Sequence, residues 1–221
     1  MTEFLQDGDF ALQATFMWAM AWRPAAREVR RMPERLLHQW RRQIALRRLA
    51  HGPTPRVVLM VCHGNICRSP YAVARLRALA PELGDTVRVV SGGFVGPGRQ
   101  CPEEALEVAA NRGVDLSNHR SQLIKPADVL AADLIVVMDR VQQWAIRAMY
   151  GRDVLMLGDL DPEAIETREI LDPVEQPKEA FERCYSRIDR CLSALVRAVS
   201  GGAFRALRSA AAPSHRARVQ T

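Results

Sequence analysis

Residues 56–61 read RVVLMV, an unbroken β-branched and apolar run that ends at Cys62, and residues 68–80 then read as a helix stopped by Pro81. A strand without polar alternation must be buried on both faces, as in a parallel sheet covered by helices. The alternation recurs down the chain. Residues 86–91 (TVRVVS) form a second predicted strand, followed by a Gly/Pro-rich loop at 92–100 and a helix at 102–112 closed by Gly113. A third strand is predicted at 133–138 (DLIVVM), a helix at 139–150, a fourth, shorter strand at 153–157 (DVLML) and a long helix at 178–199. The expected fold is therefore α/β: a four-stranded parallel sheet flanked by helices, with right-handed crossovers. Ligands in such sheets sit at the carboxyl ends of the strands, near the switch in strand order. The residues just after Val61 are the place to look.

There the chain reads Cys62-His63-Gly64-Asn65-Ile66-Cys67-Arg68-Ser69-Pro70 and opens into a helix. Gly64 and Asn65 tolerate left-handed backbone angles, so the loop can curl its N–H groups into a nest that binds an anion. The helix start adds partial positive charge. A cysteine facing that field is expected to be a thiolate near neutrality. Ser69 can donate a hydrogen bond to the sulfur, and Arg68 can bind two phosphate oxygens with its planar fork. The bare pattern Cys-x5-Arg is not specific: Cys184 and Arg190 match it too, but inside a predicted helix that has no glycine and cannot form the ring. A free cysteine is usually a buried core thiol, and Cys184 and Cys191 are assigned that role.

Residues 61–70 closely resemble the signature loop of low-molecular-weight protein-tyrosine phosphatases. The blocks Ser91-Gly92-Gly93, 112–121 (RGVDLSNHRS), 133–139 (DLIVVMD) and Leu171-Asp172-Pro173 follow in the family's order and spacing, so the resemblance covers roughly residues 56–199. It implies a phosphotyrosine hydrolase working through a cysteinyl-phosphate without metal or other cofactor. Cys62 is then the nucleophile, and His63, Gly64, Asn65, Ile66, Cys67, Arg68 and Ser69 bind phosphate. Asp172, in the loop before the last helix, matches the family's general acid. Asp161-Pro162 is a second Asp-Pro eleven residues earlier, and an Asp-Pro by itself is only a turn signal. Asp172 is preferred because it sits just ahead of the last helix.

The resemblance also gives Cys67 as a candidate partner for a protective disulfide with Cys62. It gives Asn65, Ser91 and His119 as loop supports, and Asp139 is best read as a helix cap. Val174 stands where relatives commonly carry an aromatic residue, and Phe94 where they often have a tryptophan-type wall. Ile66 favours phosphotyrosine, since relatives acting on phosphoarginine tend to have a smaller polar residue there. A thiol-dependent arsenate reductase shares this fold and nucleophile but needs further cysteines, and no cysteine lies between Cys101 and Cys184. A phosphoprotein-binding module with a vestigial site is the other alternative, opposed by the intact Cys62, Arg68 and Asp172.

The formal charge of +6 is unevenly spread: residues 1–22 carry −3, 23–56 carry +8, 57–199 carry −3 and 200–221 carry +4. A mildly acidic middle argues against nucleic acid as a partner. The odd count of five cysteines and the absence of zinc-like spacing point to a reducing, cytoplasmic setting without a metal. The apolar stretch 10–22 is too short to span a bilayer, and the acids before it do not suit an export signal. Three regions are expected: a helical, basic extension at 1–52, the phosphatase domain at 53–199 and a basic, disordered tail at 200–221. In the extension, Val29, Met32, Leu36, Trp40, Ile44 and Leu49 suggest an apolar face opposed by arginines, with Pro33 splitting the helix or starting its second half. Residues 10–50 could meet an anionic membrane, dock a partner, or pack on the domain as an extra layer. Bacterial relatives suggest a tyrosine kinase of exopolysaccharide assembly as the phosphotyrosine protein substrate.

Overall fold

The computed structural model describes residues 26–81 and 87–210. In chain order these form α1 (Ala26–His51), β1 (Val57–Val61), α2 (Arg68–Leu79), β2 (Arg88–Gly92), α3 (Glu103–Ala110), α4 (Pro126–Ala131), β3 (Leu134–Val137), α5 (Arg140–Tyr150), β4 (Leu155–Met156) and α6 (Lys178–Ala210). A 3-10 turn, Leu157–Leu160, follows β4 directly. The four strands are all parallel, in the order β2-β1-β3-β4. The chain leaves β1 to one side for β2 and crosses to the other side for β3. The switch therefore lies at the carboxyl ends of β1 and β3, where Cys62 and Asp139 follow.

Alternate residues of β1 serve two cores. Val58 and Met60 face a cluster with Tyr71 of α2, Val108 of α3 and Tyr185, Ile188 and Leu192 of α6. Leu59 and Val61 face Val129 of α4 and Ile146 of α5. Each fully buried aliphatic side chain contributes about 1.5–3 kcal/mol, so a strand read as buried on both faces is stabilised from both. Tyr71 and Tyr185 stack with ring centroids 3.8 Å apart and tie α2 to α6 beneath the loop.

Four elements differ from the expectation, three of them in small ways. The six-residue α4, opened by Pro126, is too short for hydrophobic periodicity to reveal. The fourth strand ends at Met156 because the chain tightens at once into the 3-10 turn. Helix α6 runs on past Val199 to Ala210, where a disordered tail was expected to begin at 200. Gly201 and Gly202 each cost a helix about 1 kcal/mol relative to Ala, but good helix formers follow and no proline intervenes before Pro213. The apolar stretch 10–22 and residues 211–221 lie outside the described residues, and no described helix is long and apolar enough to cross a membrane.

Helix α1 departs most from its reading. It is one helix through Pro33, neither split nor restarted there. It packs on α6 and on the 3-10 turn, forming an extra helical layer. Its inward stripe is Glu34, His38 and Ala45, joined by Leu46 and Leu49, while Leu36 is 80% and Trp40 61% exposed. Of the predicted apolar face, Leu36 and Trp40 are thus turned outward, while Leu49 packs inward. The cause is what lies beneath: a loop whose polar groups need partners once water is removed. His38 Nε2 donates to the Asp161 carbonyl at 2.9 Å, and Arg42 Nε to the Leu160 carbonyl at 3.3 Å.

Candidate active site

The loop between β1 and α2 closes on the Cys62 sulfur. Asn65 N donates to Sγ at 3.3 Å, and Ser69 Oγ lies 3.0 Å from Sγ. Asn65 Nδ2 donates to both Ser69 Oγ and Ser91 Oγ at 2.9 Å, so the Ser69 hydroxyl proton is left to point at the sulfur. Asn65 Oδ1 accepts from Gln122 N, and the Asn65 carbonyl accepts from His119 Nε2 at 2.8 Å. Asn65, fully buried and left-handed at φ 51°, is the hub of the loop. Gly64 does not take a positive φ, contrary to expectation. Its lack of a Cβ instead leaves room for Arg99, whose guanidinium reaches the Gly64 carbonyl at 3.1 Å.

Helix α2 begins without a side-chain cap, so the loop and the helix start together present N–H groups to an anion. Arg68 is 2% exposed and returns beside the ring. Its Nη1 donates to the Ile170 carbonyl at 3.1 Å and approaches Asp139 Oδ2 at 3.5 Å, while Nη2 pairs with Asp172. Its Nε is buried and has no acceptor among the described residues, a donor that an oxyanion would satisfy. Burial opposes the charged guanidinium, but Cys62, Asp172 and Asp139 outweigh it and raise Arg68 above its ordinary value. His63 is held below its ordinary value chiefly by burial and therefore stays neutral near pH 7. Burial raises the Cys67 thiol well above the usual range and pushes Cys101 up to about 11 and Cys184 up to about 12. All three are protonated near neutrality, and all five cysteines are free thiols.

The two Asp-Pro copies are now distinguishable. Asp172 sits over Arg68 with its side chain 40% exposed, at the mouth of the loop. Asp161 is 1% exposed and is consumed by structure: Arg187 Nε and Arg190 Nε each reach it at 3.0 Å. The chance partner of Cys184, Arg190, thus binds Asp161 from within α6. Asp139 caps α5 through a reciprocal box with Gln142, as expected, and also faces Arg68. Ile66 is half-buried against the core and Val174 likewise, while Phe94 packs on the opposite cluster. Cys67 accepts from the Tyr185 hydroxyl through its carbonyl.

Sequence reasoning missed Arg99, Gln122 and the reason for Gly93. A Cβ at residue 93 would lie 2.7 Å from the His63 carbonyl oxygen and 2.8 Å from Asn65 N, so β2's end presses directly on the loop. The paired glycines after β2 were the available signal. Arg99 gave none, since a lone arginine in a Gly/Pro-rich loop is ordinary.

The family model for low molecular weight phosphotyrosine protein phosphatase matches residues 57–203. A probable low molecular weight protein-tyrosine-phosphatase EpsP of Ralstonia nicotianae is 37% identical over 145 residues, covering 64% of this chain and 94% of that protein. Wzb of Salmonella typhimurium, a low molecular weight protein-tyrosine-phosphatase, is 34% identical over 138 residues, covering 60% and 87%. Among solved structures, the tyrosine phosphatase AmsI of Erwinia amylovora superposes with a TM-score of 0.60 at 28% identity, covering 67% of this chain and 96% of that one. Wzb of Vibrio vulnificus, bound to benzylphosphonate, gives 0.55 at 32% identity, covering 64% and 97%. The chain belongs to the low molecular weight phosphotyrosine protein phosphatase family.

Proposed function

We propose that the chain hydrolyses phosphotyrosine on proteins in two steps, with Cys62 as nucleophile, Arg68 and the amides of residues 63–69 as the phosphate cradle, and Asp172 as acid and then base. The supporting observation is the convergence of the Cys62 sulfur, the buried Arg68 fork and the Asp172 carboxylate at the end of β1. In the first step the Cys62 sulfur attacks phosphorus, the phosphorus–oxygen ester bond breaks, and the Asp172 carboxyl protonates the departing phenolic oxygen. In the second, ionised Asp172 takes a proton from water as the water attacks phosphorus. The sulfur–phosphorus bond breaks, and the Ser69 hydroxyl stabilises the sulfur that leaves.

Because Cys62 is buried at the base of the loop, it is reached by a phosphate carried on a long, flat side chain, and Ile66 offers such a ring an apolar edge. Phosphotyrosine peptides are expected to exceed matched phosphoserine and phosphoarginine peptides in kcat/KM by about tenfold or more. Equal rates on all three would contradict the assignment.

We further assign the enzyme to the cytoplasm, where a thiol nucleophile stays reduced, and its substrate to a bacterial tyrosine kinase of exopolysaccharide assembly. The support is its similarity to the bacterial phosphatases EpsP and Wzb. The outward face of α1, with Leu36, Leu37 and Trp40 exposed beside Arg47 and Arg48, suits peripheral contact with an anionic membrane. Each base near such a surface contributes on the order of 1 kcal/mol. Cosedimentation with anionic vesicles should therefore fall as salt rises, and fall again on Leu36→Ser/Trp40→Ser. Binding that ignores both salt and substitution would rule this contact out.

A further inference from the structure

Building on the phosphatase reading, we infer that Glu34 is a positioning residue for the general acid, acting from the N-terminal extension. Glu34 is 5% exposed, on the inner stripe of α1. Its Oε2 accepts from Arg168 N at 3.1 Å, and its Oε1 forms a close ion pair with Arg140. Those two partners head the segments that flank Arg68. Arg140 directly follows Asp139, and Arg168 opens the stretch that runs through Ile170 to Asp172. One buried carboxylate thus spans the two segments that carry the acids of the site, holding one by its backbone at Arg168 and the other by the Arg140 side chain.

The same stretch is fastened from other sides. Arg187 donates to the Glu169 and Thr167 carbonyls at 2.8 and 2.7 Å, and Ile170 N donates to the Met138 carbonyl at 2.8 Å. The Arg168 side chain holds Asp159 at 2.6 Å. The Arg168 amide takes its acceptor from α1, and it lies four residues from Asp172. The family match begins at residue 57, so this brace comes from outside the matched region. The loop at 62–67, by contrast, is held by residues 91, 92, 94, 99, 119, 122 and 185, none of them in the stretch that Glu34 braces, and Arg68 alone reaches that stretch, through the Ile170 carbonyl and Asp172.

That separation gives a distinctive signature. Proton delivery requires the carboxyl within about 2.6–3.2 Å of the leaving oxygen, and an ångström of misplacement can cost roughly a hundredfold. Loosening the acid should hurt a substrate in proportion to its need for that proton and leave phosphate capture alone. The measurement is kcat/KM for a series of aryl phosphates of graded leaving-group acidity, with wild type, Glu34→Ala, Glu34→Gln and Arg35→Ala. Glu34→Ala is expected to lose about tenfold or more on phenyl phosphate and no more than about twofold on 2,4-dinitrophenyl phosphate, steepening the leaving-group dependence. Inhibition by inorganic phosphate should stay within about twofold of wild type, since a loss confined to the transition state leaves ground-state binding unchanged.

Glu34→Gln keeps an acceptor for Arg168 N but loses the charge facing Arg140, and should fall between the two. Arg35 pairs with Glu166 at 3.0 Å on the open surface, where such pairs contribute little, so Arg35→Ala should match wild type. An equal loss on every substrate, or no loss, overturns the inference. Should Glu34→Ala fail to fold, Glu34→Gln carries the test, and a wild-type slope there overturns it. A wild-type protein that hydrolyses none of the series would instead sink the phosphatase reading on which this rests.

Discussion

Asp172→Asn is expected to slow hydrolysis of phosphotyrosine peptides by roughly two to four decades, the usual worth of general-acid catalysis. A tyrosine leaving group has a pKa of about 10 and departs slowly without a proton. Aryl phosphates with a much more acidic leaving group should lose less in the first step. Asn at this position keeps the shape and an oxygen for Arg68 but has no proton to give at neutral pH. The control is the other Asp-Pro. Asp161→Asn leaves Arg187 and Arg190 facing a neutral amide in a site where the carboxylate is 1% exposed. Breaking a buried pair costs about 3–5 kcal/mol, and the lower figure applies because Arg190 keeps 32% of its side chain in water. Asp161→Asn should therefore lower the melting temperature by several degrees while the folded fraction keeps its leaving-group dependence. Substantial phosphotyrosine hydrolysis in Asp172→Asn, with the catalytic loss appearing in Asp161→Asn, would show that the acid is the earlier copy.

The sheet and the nucleophile loop were legible because their signals are local. The RVVLMV run, the turn residues at 64 and 65 and the helix start at Arg68 lie within a few residues of one another, and the structure keeps them together. Asp139 was read as a cap for the same reason, since its partner Gln142 is three residues on. The helix and its packing on the domain were legible in α1, but which of its faces turns inward was misread on the opposite ground. Periodicity assumes that the apolar stripe turns inward, but Glu34 and His38 are drawn inward by Arg168 and Asp161, partners more than a hundred residues away. Nothing near residue 34 announces those partners. Arg99 and Gln122 were invisible likewise, since each serves the loop from a distant segment whose approach depends on the sheet order.

Cys62→Ser should abolish turnover and leave the fold and phosphate binding in place. A hydroxyl at that position is a far weaker nucleophile than a thiolate, while the Asn65 side chain, the uncapped start of α2 and the Arg68 fork do not depend on the sulfur for their hydrogen bonds. Cys184→Ser, buried on α6 and not part of the loop itself, should retain the leaving-group dependence of wild type. The most direct test is a rapid acid quench of wild-type enzyme mixed with excess p-nitrophenyl phosphate, followed by peptide mass mapping. One phosphoryl group should be found on the peptide containing Cys62, appear before steady state and be missing from Cys62→Ser. Phosphate release with no phosphoryl group on that peptide, or undiminished turnover by Cys62→Ser, would contradict a cysteinyl-phosphate mechanism.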